Sequence, residues 1–177
     1  MAIIDVGGVQ GSGKSSLLDA AQSYTEKQFT IVKRSDILAK ILNVEVGSEL
    51  SVDHTLLMSA LEEMRTQLST IDNCARDIHY STLKPERQIY PVEQNDIGRI
   101  AAAVLVTAPI DILIMRRRNS LRGRTTDPII IQEQLMLEEQ GAKLTAQQLG
   151  VPLLRIINEN FDIAAQNLAM IIDKYLE

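Results

Sequence analysis

Residues Gly8 to Ser15 read Gly-Val-Gln-Gly-Ser-Gly-Lys-Ser, which fits G-x-x-x-x-G-K-[ST] at every fixed position. Such a loop has meaning only between a buried strand and the start of a helix, so it dictates the fold around itself. Both flanks agree. The apolar run Ala2-Ile3-Ile4-Asp5-Val6 precedes it as a predicted strand. Ser15 to Tyr24 follows as a predicted helix, with Leu17, Leu18 and Ala21 on one side.

The residue types suit phosphate. Gly8, Gly11 and Gly13 let the backbone turn and approach an anion closely. The loop N–H groups form a concave nest, and the N-terminus of the following helix adds partial positive charge. Lys14 brings a full charge to the outer phosphates, and the Ser15 hydroxyl is a magnesium ligand. Ser12 and Ser16 complete the candidate nucleotide-binding set. By itself the loop calls for ATP or GTP with Mg2+.

Composition limits the rest. A chain of 177 residues, 45% hydrophobic and 23% charged, suits one globular domain over residues 1–177. A net charge of −5 argues against a broad nucleic-acid surface. The single cysteine, Cys74, rules out an internal disulfide and reads as a small buried residue. The sequence enters its first predicted strand with no signal peptide, and no apolar run reaches the ~18–20 residues a membrane span needs. A cytoplasmic location is expected.

Strand and helix patterns alternate. Phe29 to Val32 is a second strand, and Ser35 or Asp36 would cap a helix ending at Leu42. Val52 to Leu68 is a long helix with Leu57, Leu61, Met64 and Leu68 on its buried side and Ser51 at its cap. Asn73 to Ile78 is a polar third strand, and Ser81 to Asn95 a surface loop. Arg99 to Thr107 ends in a buried strand, with Pro109 opening a helix. Asp127-Pro128 starts another helix that stops at Gly150, then Leu153 to Ile157 is the last strand. Ile163 to Tyr175 closes the chain, with Asp162 as its cap and Phe161 beneath it. The pattern predicts an α/β fold with about five parallel strands and helices on both faces. Nucleotide then belongs at the carboxyl edge of the sheet beside the first strand.

A second constellation stands out in an acidic chain. Arg116, Arg117, Arg118, Arg122 and Arg124 fall within nine positions. Arg116 and Arg117 read as a solvated basic face at a helix C-terminus. Arg118, Arg122 and Arg124 read as phosphate ligands, because guanidinium forks hold phosphate oxygens in bidentate geometry. A loop at about 117–128 would then act as a lid that excludes water during phosphoryl transfer.

The P-loop near the start of the sequence, the arginine lid and the length together resemble the nucleoside monophosphate kinases. Arg76-Asp77-Ile78-His79-Tyr80-Ser81-Thr82-Leu83-Lys84-Pro85 is similar to a Asp-Thr-His-Tyr-Thr segment, closing on a Pro-Glu-Gly-Tyr-Leu-Pro run, of archaeal adenylate kinases. The similarity continues through Val104 to Pro109, the lid, and Ile156-Ile157-Asn158-Glu159-Asn160. The resemblance implies a P-loop kinase fold and the reaction ATP + AMP to 2 ADP. It implies that Lys14 holds the donor phosphates, Ser15 the magnesium, and Asp77 the magnesium through water. It places Arg118 on the donor base, Arg122 and Arg124 across the phosphates as catalytic groups, and Asn158 by the donor adenine. An acceptor region is expected at about 34–70, with Arg34, Asp36 and Arg65 as substrate ligands. His79 would orient the site, since an attacking phosphate oxygen needs no base. The family contains trimers, so a homo-oligomer is a further expectation.

The acceptor side departs from the family pattern. Gly47 to Val52 carries no arginine where an acidic-and-arginine stretch belongs. Arg34-Ser35-Asp36 replaces an aromatic-Gly-Asp sequence, and Arg76 enters a normally apolar strand. Two alternatives therefore stand beside AMP: kinase action on CMP or a small metabolite, and a nucleotide-binding regulator with slow ATPase activity.

Overall fold

The computed structural model describes residues 2–46, 52–71, 73–82, 88–90, 92, 96–120 and 123–176. Five strands make the main sheet: β1 (Ile3–Gly7), β2 (Thr30–Lys33), β3 (Cys74–Asp77), β6 (Ile100–Thr107) and β7 (Leu153–Ile157). They lie in the order β2-β3-β1-β6-β7, and every neighbouring pair is parallel. Six helices are formed among the described residues: α1 (Lys14–Ala21), α2 (Arg34–Leu42), α3 (His54–Ser69), α4 (Ile110–Arg118), α5 (Pro128–Leu149) and α6 (Phe161–Tyr175). The expected α/β architecture is therefore present.

Alternation along the strands sorts the core into two layers. Ile4 and Val6 of β1, Ala75 of β3 and Val104 and Val106 of β6 pack with Leu17 and Leu18 of α1 and with Leu168 and Ile172 of α6. On the opposite face Ile3, Val32, Cys74 and Ile100 meet Met64 and Leu68 of α3. Ala103 and Leu105 meet Ala142 and Ala146 of α5. With both faces covered, β1 is buried at all five positions, which is why its sequence is a run rather than an alternation. Each large apolar side chain so buried contributes about 1.5–3 kcal/mol.

Several local expectations are corrected. Helix α2 begins at Arg34 with Lys33 at the cap, so Ser35 and Asp36 lie inside its first turn and cap nothing. Asp53 caps α3, accepting from the Thr55 and Leu56 N–H groups; the expected cap, Ser51, lies outside the described residues. Asn160 caps α6 by accepting from Ile163 N–H, which leaves Asp162 in the first turn. Phe161 is 40% exposed rather than packed beneath the helix. The segment after β3, expected as a plain loop, contains an antiparallel pair, β4 (Ser81–Thr82) with β5 (Gln88–Ile89). Asp127 does cap α5, with Pro128 at its first position and Gly150 left-handed at its end (φ 67°).

No helix among the described residues is long and apolar enough to cross a membrane.

Candidate functional site

Strand β1 has β3 on one side and β6 on the other. The chain thus reverses its direction of winding at β1, and a crevice opens beyond its carboxyl end. Residues 8–13 fill the step from β1 to α1. Gly13 sits at φ 87°, and a Cβ there would lie 2.4 Å from Asn158 Nδ2. A Cβ on Gly8 would lie 2.3 Å from the Val106 carbonyl oxygen. Only glycine permits this close a wrap of the loop against β6 and the end of β7.

The side chains that the sequence assigns to phosphate and magnesium converge across β1 and β3. Lys14 is 8% exposed, and its Nζ lies 3.3 Å from Asp77 Oδ1. The Ser15 hydroxyl donates to Asp77 Oδ2. Lys14 Nζ also lies 3.4 Å from His79 Nε2. Nδ1 in turn lies 3.8 Å from Glu138 Oε1.

Glu138 was invisible to motif reading. It is 2% exposed in α5. Its Oε1 accepts from the N–H of Gly8 at 2.9 Å and of Tyr80 at 3.0 Å, and its Oε2 accepts from the Ser81 hydroxyl at 2.6 Å. Burial by itself would raise its pKa. The His79 ring, the Ser81 hydroxyl and the Tyr80 N–H outweigh that and hold the carboxyl below its ordinary range. One carboxylate therefore joins the start of the P-loop to the segment after β3. A signal existed: Glu138 shares a helical face with Ile131, Ala142 and Thr145, all buried. A charged residue at a core-facing position needs partners.

Tyr80 completes this joint. Its hydroxyl donates to the carbonyls of Asp5 (3.1 Å) and Val104 (3.2 Å). Burial, followed by the nearby Asp5 and Glu138 charges, pushes its pKa well above the usual tyrosine value. Its ring occupies the space that a Cβ on Gly7 would need, at 2.2 Å.

The arginines divide differently from expectation. Arg117 is 2% exposed, not solvated. Its Nε donates to Gln10 O (2.8 Å), its Nη1 to Thr125 O (3.2 Å) and its Nη2 to Gln134 Oε1 (2.7 Å). Arg116 Nη1 donates to Ser12 O (3.1 Å) and its Nη2 to Asn158 O (3.1 Å). Asn158 Nδ2 donates to Ser12 O as well, at 2.8 Å. These two arginines brace the P-loop from outside. Burial lowers both their pKa values, and the charge of Arg124 adds to the effect on Arg117. Arg118 points into solvent, Arg124 is half-buried, and Arg122 lies outside the described residues.

The remaining predicted site residues scatter. Gly8, Gly11, Ser12, Gly13, Lys14 and Ser15 form the loop with Asn158 against it, while Ser16 is exposed on α1. Arg34 lines a cavity of about 40 Å3 with Asp5, Arg76, His79 and Asp96. Asp36 instead lines a separate groove beside β2, with Asp19 and Lys33. Arg65 donates to Glu62 Oε2 at 3.0 Å along its own helix.

The loop fits a nucleotide phosphate on the structure's own terms. The Ser12 hydroxyl, a potential donor to a phosphate oxygen, is buried without a hydrogen-bond partner among the described residues. The oxygens of Ser15 and Asp77 form the small donor set that magnesium takes when phosphates supply its other ligands.

No family model matches the chain, and no curated protein matches it. Solved structures do. Shikimate kinase from Bacteroides thetaiotaomicron superposes with TM-score 0.63 at 15% identity, over 97% of this chain and 98% of that one. Shikimate kinase from Acinetobacter baumannii, in complex with shikimate, gives 0.61 at 13%, over 97% and 89%. The YorR protein of Bacillus subtilis, in complex with phosphorylated GDP, gives 0.59 at 17%, over 97% and 95%. At these identities the likeness establishes the fold: an α/β five-stranded parallel sheet of the P-loop kinase type.

Proposed function

We propose that the protein is an ATP-dependent kinase of a small phosphate-bearing acceptor, with AMP the first candidate and two ADP the products. The observation that carries this is the convergence of Lys14 and Ser15 on Asp77 beneath a braced P-loop. Phosphoryl transfer asks the protein for positioning and charge stabilisation, and little else. Lys14 binds the outer donor phosphates. Ser15 and Asp77 would hold magnesium, which when bound would supply positive charge against the transferring group. An acceptor oxygen forms the new bond to the γ-phosphorus as the β–γ bridge breaks and ADP leaves. Arg124, half-buried beside Arg117, and Arg122 are placed in sequence to bind the transferring phosphate, and Arg118 to meet the base. The region 34–70 supplies acceptor contacts, with Arg34 the residue nearest this role. A cytoplasmic homo-oligomer is part of the same proposal.

A second reading, a kinase of a hydroxyl-bearing metabolite, is favoured by His79. Its ring is oriented by Glu138, touches Lys14 and lines the cavity, as a base for a hydroxyl acceptor would be. An ADP-release assay across AMP, CMP, UMP, GMP, shikimate and gluconate separates the two. A no-acceptor control detects a regulator with slow ATPase activity. Release that no acceptor accelerates would overturn both kinase readings.

A further inference from the structure

The loop after β1 has two of its carbonyls held from outside. Arg117 Nε donates to Gln10 O at 2.8 Å. Arg116 Nη1 and Asn158 Nδ2 both donate to Ser12 O, at 3.1 and 2.8 Å. Between them, the Ser12 N–H closes a turn on Val9 O at 3.1 Å. The loop motif names none of the three outer side chains. What they fix is the direction in which the Gln10–Gly11 and Ser12–Gly13 peptides face.

A trans peptide is planar, and its C=O and N–H point in opposite directions. A carbonyl turned outward onto a guanidinium therefore turns the next N–H inward. With Gln10 O and Ser12 O turned outward, the N–H groups of Gly11 and Gly13 face the hollow of the loop, where successive N–H groups bind an anion. Gly11 and Gly13 sit at φ 90° and 87°, and glycine leaves that region for others with little steric resistance. Such peptides turn over easily unless something outside holds them. The holding groups are themselves fixed. Arg116 Nη2 donates to Asn158 O at 3.1 Å, and Asn158 N–H donates to Thr107 O at 2.7 Å. The far edge of Arg117 donates to Thr125 O and Gln134 Oε1. In both arginines one planar fork spans two carbonyls, which an ammonium on a flexible stem does not do.

We propose that Arg116, Arg117 and Asn158 are positioning residues for the phosphates of a nucleoside di- or triphosphate. They act through the Gln10–Gly11 and Ser12–Gly13 peptides and touch no phosphate themselves. The identity of the ligand rests on the kinase reading above. Asn158 moves with this from the donor adenine, where the family resemblance puts it, to the phosphate cradle.

The test is calorimetric titration of the full chain with inorganic pyrophosphate and with ADP. If the unheld Ser12–Gly13 peptide faces inward about a tenth of the time, Arg116→Ala weakens both ligands about tenfold, because apparent affinity falls with the competent fraction. Arg116→Lys keeps the charge, loses the fork, and weakens both ligands to a similar extent. Asn158→Ala removes the other donor to Ser12 O and weakens pyrophosphate and ADP by the same factor. Circular dichroism checks the fold of each variant; should Arg116→Ala not fold, Arg116→Lys decides. An arginine that only stabilises the fold would lower the melting temperature and leave the affinity of the folded protein unchanged. The proposal is overturned if pyrophosphate binds the Arg116 variants as tightly as the unaltered chain. It is also overturned if Arg116→Lys alone keeps full affinity, which would make charge the active part, or if Asn158→Ala weakens ADP but not pyrophosphate, as an adenine contact would. Failure of the unaltered chain to bind either ligand overturns it too. The kinase reading fails separately: pyrophosphate binding that responds to these changes, with no acceptor accelerating ADP release, would sink that reading and leave the positioning role standing.

Discussion

The P-loop and the small cavity beside Arg76 are built in opposite ways. The P-loop is one contiguous stretch, Gly8 to Ser15, clamped by residues from three places in the fold: Glu138 of α5, Arg116 and Arg117 of α4, and Asn158 after β7. The cavity has no contiguous motif. Asp5, Arg34, Arg76, His79 and Asp96 come from separate places in the chain and meet around one small cavity. The contrast explains why one half of the site is recognised at sight and the other only in three dimensions. It also locates rigidity. The P-loop is held through its backbone by two guanidiniums, one asparagine and one buried carboxylate, whereas the cavity is lined by charged side chains that bond one another.

Four experiments break or sharpen that contrast. The largest effect is expected for Lys14→Ala. It should lower kcat on the order of 10²–10³-fold or more, the usual loss for a group that stabilises developing charge, with the fold intact by circular dichroism. Near-full activity in a steady-state assay would remove the donor assignment. Arg124→Ala follows, with an expected loss on the order of 10²-fold in kcat. If it alters only solubility, the lid reading fails.

Arg117→Ala and Arg118→Ala test the division among the arginines. Arg117 makes three buried or half-buried hydrogen bonds, so its truncation should cost about 2–4 kcal/mol of unfolding free energy. The same change at solvent-facing Arg118 should stay within about 0.5 kcal/mol. Urea denaturation of both variants measures the difference, and equal values would contradict the brace.

The smallest effect is a pH dependence. Glu138 has its folded pKa below its unfolded value. Its contribution to stability is therefore complete above the unfolded glutamate value, about 4.3, and is lost as pH falls through the lower folded pKa. Glu138→Gln should cost about 1–3 kcal/mol at neutral pH, since one amide oxygen cannot satisfy the donors that two carboxylate oxygens served. It should also flatten the acid limb of the stability curve. Thermal melts from pH 3 to 7 that show the same acid limb in both proteins would refute this role.

Legibility followed chain distance. The parallel sheet, the α5 boundaries with Asp127 and Gly150, and the P-loop itself were readable because each signal is local: an apolar run, a cap, a loop pattern. Helix starts were less so. Asp53 and Asn160 won their caps over nearby side chains that looked equally able. Arg117 was misread as solvated because a basic run at a helix end is usually a surface feature. Here residues 9–12 and the start of α5 close over it. Asp5 passed unremarked in an apolar run, and Arg76 stood out as an intruder in a normally apolar strand. Their pairing depends on the register of β1 with β3, which no local pattern states.

What the sequence determined by itself is the phosphate-binding loop and the alternation of strands and helices around it. Both follow from backbone preferences and apolar periodicity over a few residues. Only the tertiary structure decided that Glu138 ties the P-loop to the segment after β3, that Arg116 and Arg117 brace it, and that Arg76 is shared between Asp5 and Asp96. Those are long-range pairings of buried charge. Their energy depends on desolvation and on distances set by sheet register and helix packing, and these exist only once the chain has folded.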